Sequence, residues 1–431
     1  MHVENIFFLN FMYPYKPNIM KKILLLSLLM LASCAGDRWN KPVTCRITGE
    51  IKDTEITEVT LLKAGQSPDR DGIRVPVKDG RFEYTLSTDT LLTYQLWIPY
   101  HAGAYYTCDF LPENEGFGFI YMSGSIKTIP RGPLNKALAD YTDAGNAIFG
   151  SRADSLSALE IRMGERLYAP TYVALVMQRN ETTDKNRLSA LEKEIGRMET
   201  TGEWLSEQGR NLQAANDAFR EERKAWRREY IAAHPSFPSF SLLVNIIRSE
   251  QRSVTQSDLA PWLGLYDRIF TGRFPGHPYH EIVGLARRSL KIAVGGHYID
   301  ATLPDTAGRM VKLSDAIGGK VAMIDMWASW CGSCRRRSKE FIPVYKKYKH
   351  EGFTVVGIAR EFKSDKAWRS ALEKDGYPWL NLLEMDDGHK LWEEYGIGNG
   401  GGSSYLLDRD GTILAINPTP DEVEAVLEAK L

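Results

Sequence analysis

Apolar and polar positions alternate with a period of two from Thr44 to about Ile129. Arg46-Ile47-Thr48-Gly49-Glu50-Ile51, Glu58-Val59-Thr60-Leu61-Leu62 and Arg81-Phe82-Glu83-Tyr84-Thr85-Leu86 each carry the pattern. A strand turns successive side chains to opposite faces, so this alternation predicts strands with one buried face. Turn formers such as Asp79-Gly80 separate the runs, and short, evenly spaced strands predict a small sandwich or barrel. From about Gly132 to Ala293 the period becomes helical. Leu188, Leu191, Ile195 and Met198 share one face, as do Leu212, Phe219 and Trp226. The mixed charges of Arg220-Glu221-Glu222-Arg223-Lys224 predict the solvated face of a long helix. His234-Pro235-Ser236-Phe237-Pro238 should end it, because proline lacks the helical N–H and disfavours helix in the residue before it. Further helices are expected through Leu242–Ile247 and Tyr279–Leu290.

Beyond Val294 the pattern alternates between strand and helix. Val321–Trp327 and Phe353–Ala359 read as buried strands, and a helix should follow Cys334. Asp365–Lys374 reads as a second helix, Tyr405–Leu407 and Thr412–Ile416 as a hairpin around Asp410-Gly411, and a last helix follows Pro420. The chain is therefore expected to be multidomain. An all-β domain would span 34–130, an α-helical domain 131–293 and an α/β domain around a mixed sheet 294–431.

The 431 residues are too many for one ordinary domain. The charges nearly cancel, 54 basic against 55 acidic, so nothing global points to nucleic acid. Residues 1–33 read differently from the rest. Lys21 and Lys22 precede an apolar run from Ile23 to Ala32 that ends in Leu31-Ala32-Ser33-Cys34. A basic start, a short apolar stretch and small residues at its end describe a secretory signal, and the run is too short to span a bilayer. Residues 1–19 fit no such grammar, and translation is expected to start at Met20. Leu-Ala-Ser-Cys resembles the bacterial lipobox, which implies that Cys34 is lipidated and becomes the mature N-terminus. The expected location is the cell envelope, lipid-anchored and either periplasm-facing or associated with the outer membrane.

The informative chemistry is Asp325-Met326-Trp327-Ala328-Ser329-Trp330-Cys331-Gly332-Ser333-Cys334, a C-x-x-C pair at a strand-to-helix junction. Cys331 should sit at the helix N-terminus, where unpaired N–H groups and the helix dipole stabilise a thiolate. A thiolate is the species that attacks a disulfide. Cys334, inside the first turn, lies where it can attack the mixed disulfide and release the product. A zinc half-site would need further ligands, and Cys45 and Cys108 belong to the β-rich region. The H-x-x-H of His277-Pro278-Tyr279-His280 reads as part of an irregular connector. No metal and no cofactor is called for. Cys45 and Cys108 can pair only if their Cα atoms lie within about 7 Å.

These residues resemble a known family. Trp327-Ala-Ser-Trp-Cys-Gly-Ser-Cys334, after the strand Val321–Asp325, is similar to the active site of the thioredoxin superfamily. The lead-in from Leu313-Ser314-Asp315 through Gly319-Lys320-Val321 resembles the membrane-tethered TlpA/ResA-type thiol–disulfide oxidoreductases. With the lipobox and the two preceding domains, the whole resembles exported thioredoxin-like lipoproteins of Bacteroidetes-type bacteria. The resemblance implies a thioredoxin-like fold for 294–431 and thiol–disulfide exchange, reducing disulfides in protein substrates with a membrane electron donor restoring the pair. It assigns attack to Cys331, resolution to Cys334 and packing and docking to Trp330. Asp325 matches the buried acid beneath the disulfide. A desolvated carboxylate there could take the proton that Cys334 must lose. Gly332 and Ser333 between the cysteines, and Gly402 and Ser403 after them, fall on the substrate-binding surface.

Four departures from the family pattern stand out. Ser333 replaces a common proline, Arg337 stands where glutamate is frequent, and Lys339 stands where proline is frequent. With Arg335 and Arg336 this makes the segment basic, which would favour thiolate at Cys331, attract acidic partners or simply form a solvated helix face. The family's cis-proline aligns with Gly402, in a segment Gly398–Ser404 that has no proline. Its absence motivates a rival reading, a lipid-anchored binding protein whose C-terminal domain is a scaffold or weak redox accessory. A thiol peroxidase fits less well, because the isolated peroxidatic cysteine is missing. Gly396-x-Gly398-x-x-Gly401 precedes a strand instead of joining strand to helix, so it does not cradle a phosphate.

Overall fold

The computed structural model describes residues 38–431 apart from 54, 100–104, 252–258 and 399–400. The signal-like segment and Cys34 lie outside the described residues. Alternation in the first region produces β1 (Val43–Ile51), β2 (Glu58–Lys63), β3 (Ile73–Pro76), β4 (Arg81–Thr88), β5 (Tyr94–Pro99), β6 (Tyr105–Phe110), β7 (Phe117–Met122) and β8 (Ser125–Pro130). A one-turn helix α1 (Pro68–Asp71) joins β2 to β3. The strands form two four-stranded sheets, β4-β1-β7-β8 and β3-β2-β5-β6. Inward residues of both, among them Ile47, Phe82 and Phe119 from one and Leu61, Leu96 and Phe110 from the other, share one core. Of the two expected architectures this is the sandwich. Cys45 and Cys108 lie on different sheets as separate, buried free thiols.

The helical middle comprises α2 (Pro133–Met163), α3 (Pro170–Glu181), α4 (Lys185–Thr201), α5 (Glu207–Ala233), α6 (Phe237–Gln251), α7 (Leu259–Ile269) and α8 (Tyr279–Ser289). The α5 helix stops one residue before His234-Pro235, as the proline requires. Leu191, Ile195 and Met198 are buried along α4, and Leu212 and Phe219 along α5. The core of α6, α7 and α8 also takes in Leu91 and Leu111 from the β-rich region, so the two regions are not separately packed.

The C-terminal region runs β9 (Thr302–Pro304), β10 (Met310–Lys312), α9 (Leu313–Ile317), β11 (Val321–Trp327), α10 (Gly332–Glu340), α11 (Ile342–Tyr348), β12 (Phe353–Glu361), α12 (Lys366–Asp375), β13 (Leu380–Met385), α13 (Leu391–Glu394), β14 (Ser403–Leu407), β15 (Ile413–Ile416) and α14 (Pro420–Lys430). Its five-stranded sheet has the order β13-β12-β11-β14-β15. The β11, β12 and β13 strands are parallel, while β14 and β15 run antiparallel to their neighbours. Apolar side chains cover both faces of β11, which is buried at all seven positions. This is the mixed α/β sheet expected from the alternation of elements. It ends β11, β12 and β13 on one edge, and the cysteine pair sits on that edge.

Candidate active site

The β11 strand delivers the chain to a tight turn at Ala328–Cys331, closed by the Cys331 N–H donating to the Ala328 carbonyl at 3.0 Å. The α10 helix begins immediately after it. Cys331 is its N-cap, and its sulfur accepts the Cys334 N–H at 3.2 Å. One of the unpaired donors of the first turn is thus aimed at Cys331 Sγ, an arrangement that favours negative charge on that atom when the pair is reduced. Cys331 and Cys334 form a disulfide across a Cα separation of 5.3 Å, and both are buried. Beside them the Trp330 side chain is 48% exposed. Gly332 and Ser333 are exposed between the two cysteines.

The turn is fastened from two sides. Glu361, at the end of β12, accepts the Ser329 N–H at 2.7 Å and the Ser329 hydroxyl at 2.8 Å. Arg335 donates to the Ser329 carbonyl at 3.2 Å and to Asp375 at 2.6 Å. Asp375 also accepts from Tyr377, and Arg335 holds its carboxyl below the usual carboxylate range. Burial pushes Glu361 up, against the two hydrogen bonds from Ser329 that pull it down. Neither Ser329 nor Glu361 was anticipated from sequence. The parallel register pairs Trp327 with Ala359, and two further residues along each strand bring Ser329 opposite Glu361. An acid ending an apolar strand was the available signal.

Beneath α10, Asp325 is 1% exposed and opposite Ser404 in the sheet. Its Oδ2 accepts the Ser338 hydroxyl at 2.5 Å, and Ser338 Oγ lies 3.0 Å from the Cys334 carbonyl. Arg337 Nη2 stands 3.8 Å from Asp325 Oδ1. Burial pushes Asp325 up to about 6, while the Ser338 hydrogen bond and the Arg337 charge pull it down. Asp325 is therefore under the turn that holds Cys334, linked to it through Ser338. Ser338 escaped the sequence reading, although its spacing of four from Cys334 puts both on one helix face.

The glycine segment reaches the site from the other side. Trp392 Nε1 donates to the Gly401 carbonyl at 3.0 Å. A Cβ on Gly402 would lie 1.8 Å from the Met326 carbonyl oxygen, so the main chain passes against the end of β11 more closely than any side chain permits. Ser403 is buried, with its hydroxyl donating to Asn417 Oδ1 at 3.0 Å. The basic segment also resolves into separate roles. Arg335 pairs with Asp375, Arg337 turns inward to Asp325, and Arg336 is exposed.

His277 and His280 are tied to structure. His277 Nε2 donates to the Leu91 carbonyl at 2.9 Å and its Nδ1 accepts the Tyr279 N–H at 3.1 Å. His280 Nδ1 lies 2.5 Å from the Tyr266 hydroxyl. Burial raises the thiols of Cys45 and Cys108, Cys108 to about 12, which keeps both protonated and unreactive at neutral pH.

A sheet of this order with a C-x-x-C pair at the strand–helix junction defines a thioredoxin-like domain. Residues 294–416 match the AhpC/TSA family. The same part of the chain is 25% identical over 124 residues to the thiol–disulfide oxidoreductase ResA of Bacillus thuringiensis, covering 29% of this chain and 69% of that protein. It is 26% identical over 143 residues to the thiol:disulfide interchange protein HelX of Rhodobacter capsulatus, covering 33% and 77%. A crystal structure of the thioredoxin domain of a thiol–disulfide oxidoreductase from Bacteroides vulgatus is 28% identical, with a TM-score of 0.29, covering 32% of this chain and 96% of that one. The C-terminal region is similar to ResA-type proteins, and it is a thioredoxin-like thiol–disulfide oxidoreductase domain.

Proposed function

We propose that the chain is an exported, lipid-anchored oxidoreductase that reduces disulfides in protein substrates through Cys331 and Cys334. In this reading the Cys331 thiolate attacks one sulfur of the substrate disulfide. A mixed disulfide forms and the first substrate thiolate leaves. Cys334 then gives its proton to the Asp325 carboxylate and attacks Cys331 Sγ. The Cys331–Cys334 bond forms, the second substrate thiolate departs and takes a proton from solvent, and Asp325 returns its proton to solvent. Two electrons pass from the cysteine pair to the substrate, and a membrane electron donor restores the dithiol. Trp330, Gly332 and Ser333 provide the docking surface, with Gly402 and Ser403 bordering it. Cys34 carries the lipid, and the domains extend over 34–130, 131–293 and 294–431.

The observation that carries the reading is the Cys331–Cys334 bond at the N-terminus of α10, beside an exposed tryptophan and above a buried acid. The test is disulfide reduction by the full chain in a defined dithiol buffer, compared with Cys331→Ser. The reading expects turnover that vanishes in the variant. Equal rates for both would instead favour a binding protein with an idle redox domain.

A further inference from the structure

The Arg337 side chain is an anomaly at this site. In a helix segment whose charges look solvated, this chain turns one guanidinium inward, toward the buried acid. Arg337 Nη1 donates to Asn417 Oδ1 at 3.2 Å, which aims the head group across the end of the sheet. Its Nε and Nη2 are buried and have no hydrogen-bond partner among the described residues. Asp325 Oδ1 is likewise buried without one, and the two unpartnered ends face each other at 3.8 Å. A buried guanidinium needs a counter-charge, and so does a buried carboxylate.

We infer that Arg337 is a positioning residue for the redox reaction, whose inward guanidinium, aimed by Asn417, keeps the Asp325 carboxylate charged and ready to receive the Cys334 proton. This deepens the oxidoreductase reading and rests on it. The groups around Asp325 leave that task to Arg337. From α10 come Cys334 and the neutral Ser338, and from β14 the neutral Ser404. Tyr377, ahead of β13, and Tyr405, in β14, are phenols raised chiefly by burial and therefore neutral at physiological pH. Arg335 is occupied by Asp375 on the outer side. Without Arg337 the Asp325 carboxylate would face burial with one hydroxyl as its support, and would hold its proton to higher pH. Ring closure on the mixed disulfide would then stall where the acid is still protonated.

The test is the rate of ring closure against pH. Reduced full chain is mixed rapidly with excess glutathione disulfide, and closure is followed by tryptophan fluorescence. Arg337→Gln should move the acid limb of the profile upward by about one pH unit, slowing closure about fivefold near pH 6 and leaving it little changed near pH 9. Arg337→Lys, which keeps a positive charge, should restore most of the wild-type profile. A merely structural role would scale the rate at every pH and leave the midpoint in place. Superimposable midpoints for wild type and Arg337→Gln, with closure intact, overturn this inference alone. A wild type that does not close at all overturns the oxidoreductase reading and this inference with it. Should Arg337→Gln fail to fold, unmutated protein provides the second measurement by NMR. The Arg337 Nε–H resonance should titrate with the Asp325 carboxyl carbon at one shared midpoint, and separate midpoints would contradict the pairing.

Discussion

Asp325, the proton acceptor of the proposed mechanism, also carries a measurable cost to the fold. Its folded value lies near 6, raised by burial from an ordinary 3.8. Folding therefore favours the protonated acid. The stability this confers is complete below about pH 4 and is lost as pH rises through 6. Asp325→Asn removes the titration, so its stability relative to wild type should grow by about 2 kcal/mol between pH 4 and pH 8. The variant also leaves Arg337 without its counter-charge, but that cost does not change over this range, so the slope is the test. Parallel stability curves from urea unfolding at several pH values would remove Asp325 from the account. The acid was legible because a lone carboxylate sits in an otherwise apolar strand, six residues ahead of a cysteine pair. Ser338 and Arg337 were not, because a charged helix segment looks solvated until the fold shows which side faces the sheet.

At the level of elements, the turn between β11 and α10 is held by its neighbours more than by its own sequence. Glu361 and Arg335 fix Ser329 from two sides, and Gly402 packs on the Met326 carbonyl from a third. Gly402→Ala would place a methyl group 1.8 Å from that oxygen, so β14 must shift against β11. The expected loss is about 1–3 kcal/mol, the usual cost of overpacking, read as a lower urea midpoint at unchanged slope. An unaltered midpoint would mean that the segment yields freely. The β11, β12 and hairpin strands were readable from continuous apolar runs. The β13 strand was not, because Asn381 and Glu384 interrupt its run. In the folded chain the Asn381 amide donates to the Trp379 carbonyl while its Oδ1 stays buried without a partner among the described residues, and Glu384 accepts from His389.

Across the whole molecule, the redox region is joined to the others by polar contacts at the edge that bears the cysteines. Arg70 of the β-rich region lies over the Phe362 ring at 4.2 Å and reaches Asp387, which Arg360 also grips at 2.6 and 2.7 Å. Gln251 donates to the Glu393 carbonyl, and Lys390 pairs with Glu281. Sequence patterns mark where the period changes along the chain, but they hold no sign of contacts between residues more than a hundred positions apart. His277 shows the same gap. As one half of H-x-x-H it reads as connector, yet it ties α8 to the Leu91 carbonyl of the β-rich region. Burial lowers it to about 4. The neutral ring is favoured in the fold, so its contribution is present above an unfolded value near 6.5 and lost as pH falls from there to 4. The stability advantage of wild type over His277→Gln should shrink by about 2 kcal/mol between pH 7.5 and 4.5. A constant gap would show that the histidine does not titrate there.

The central claim is that Cys331 attacks and Cys334 resolves, and trapping tests it most directly. Reduced full-length Cys334→Ser is mixed with a disulfide-bonded test protein such as insulin, and the products are mapped by mass spectrometry. The account predicts a stable mixed disulfide through Cys331 that is absent from Cys331→Ser. No adduct, or an adduct through Cys45 or Cys108, would contradict it.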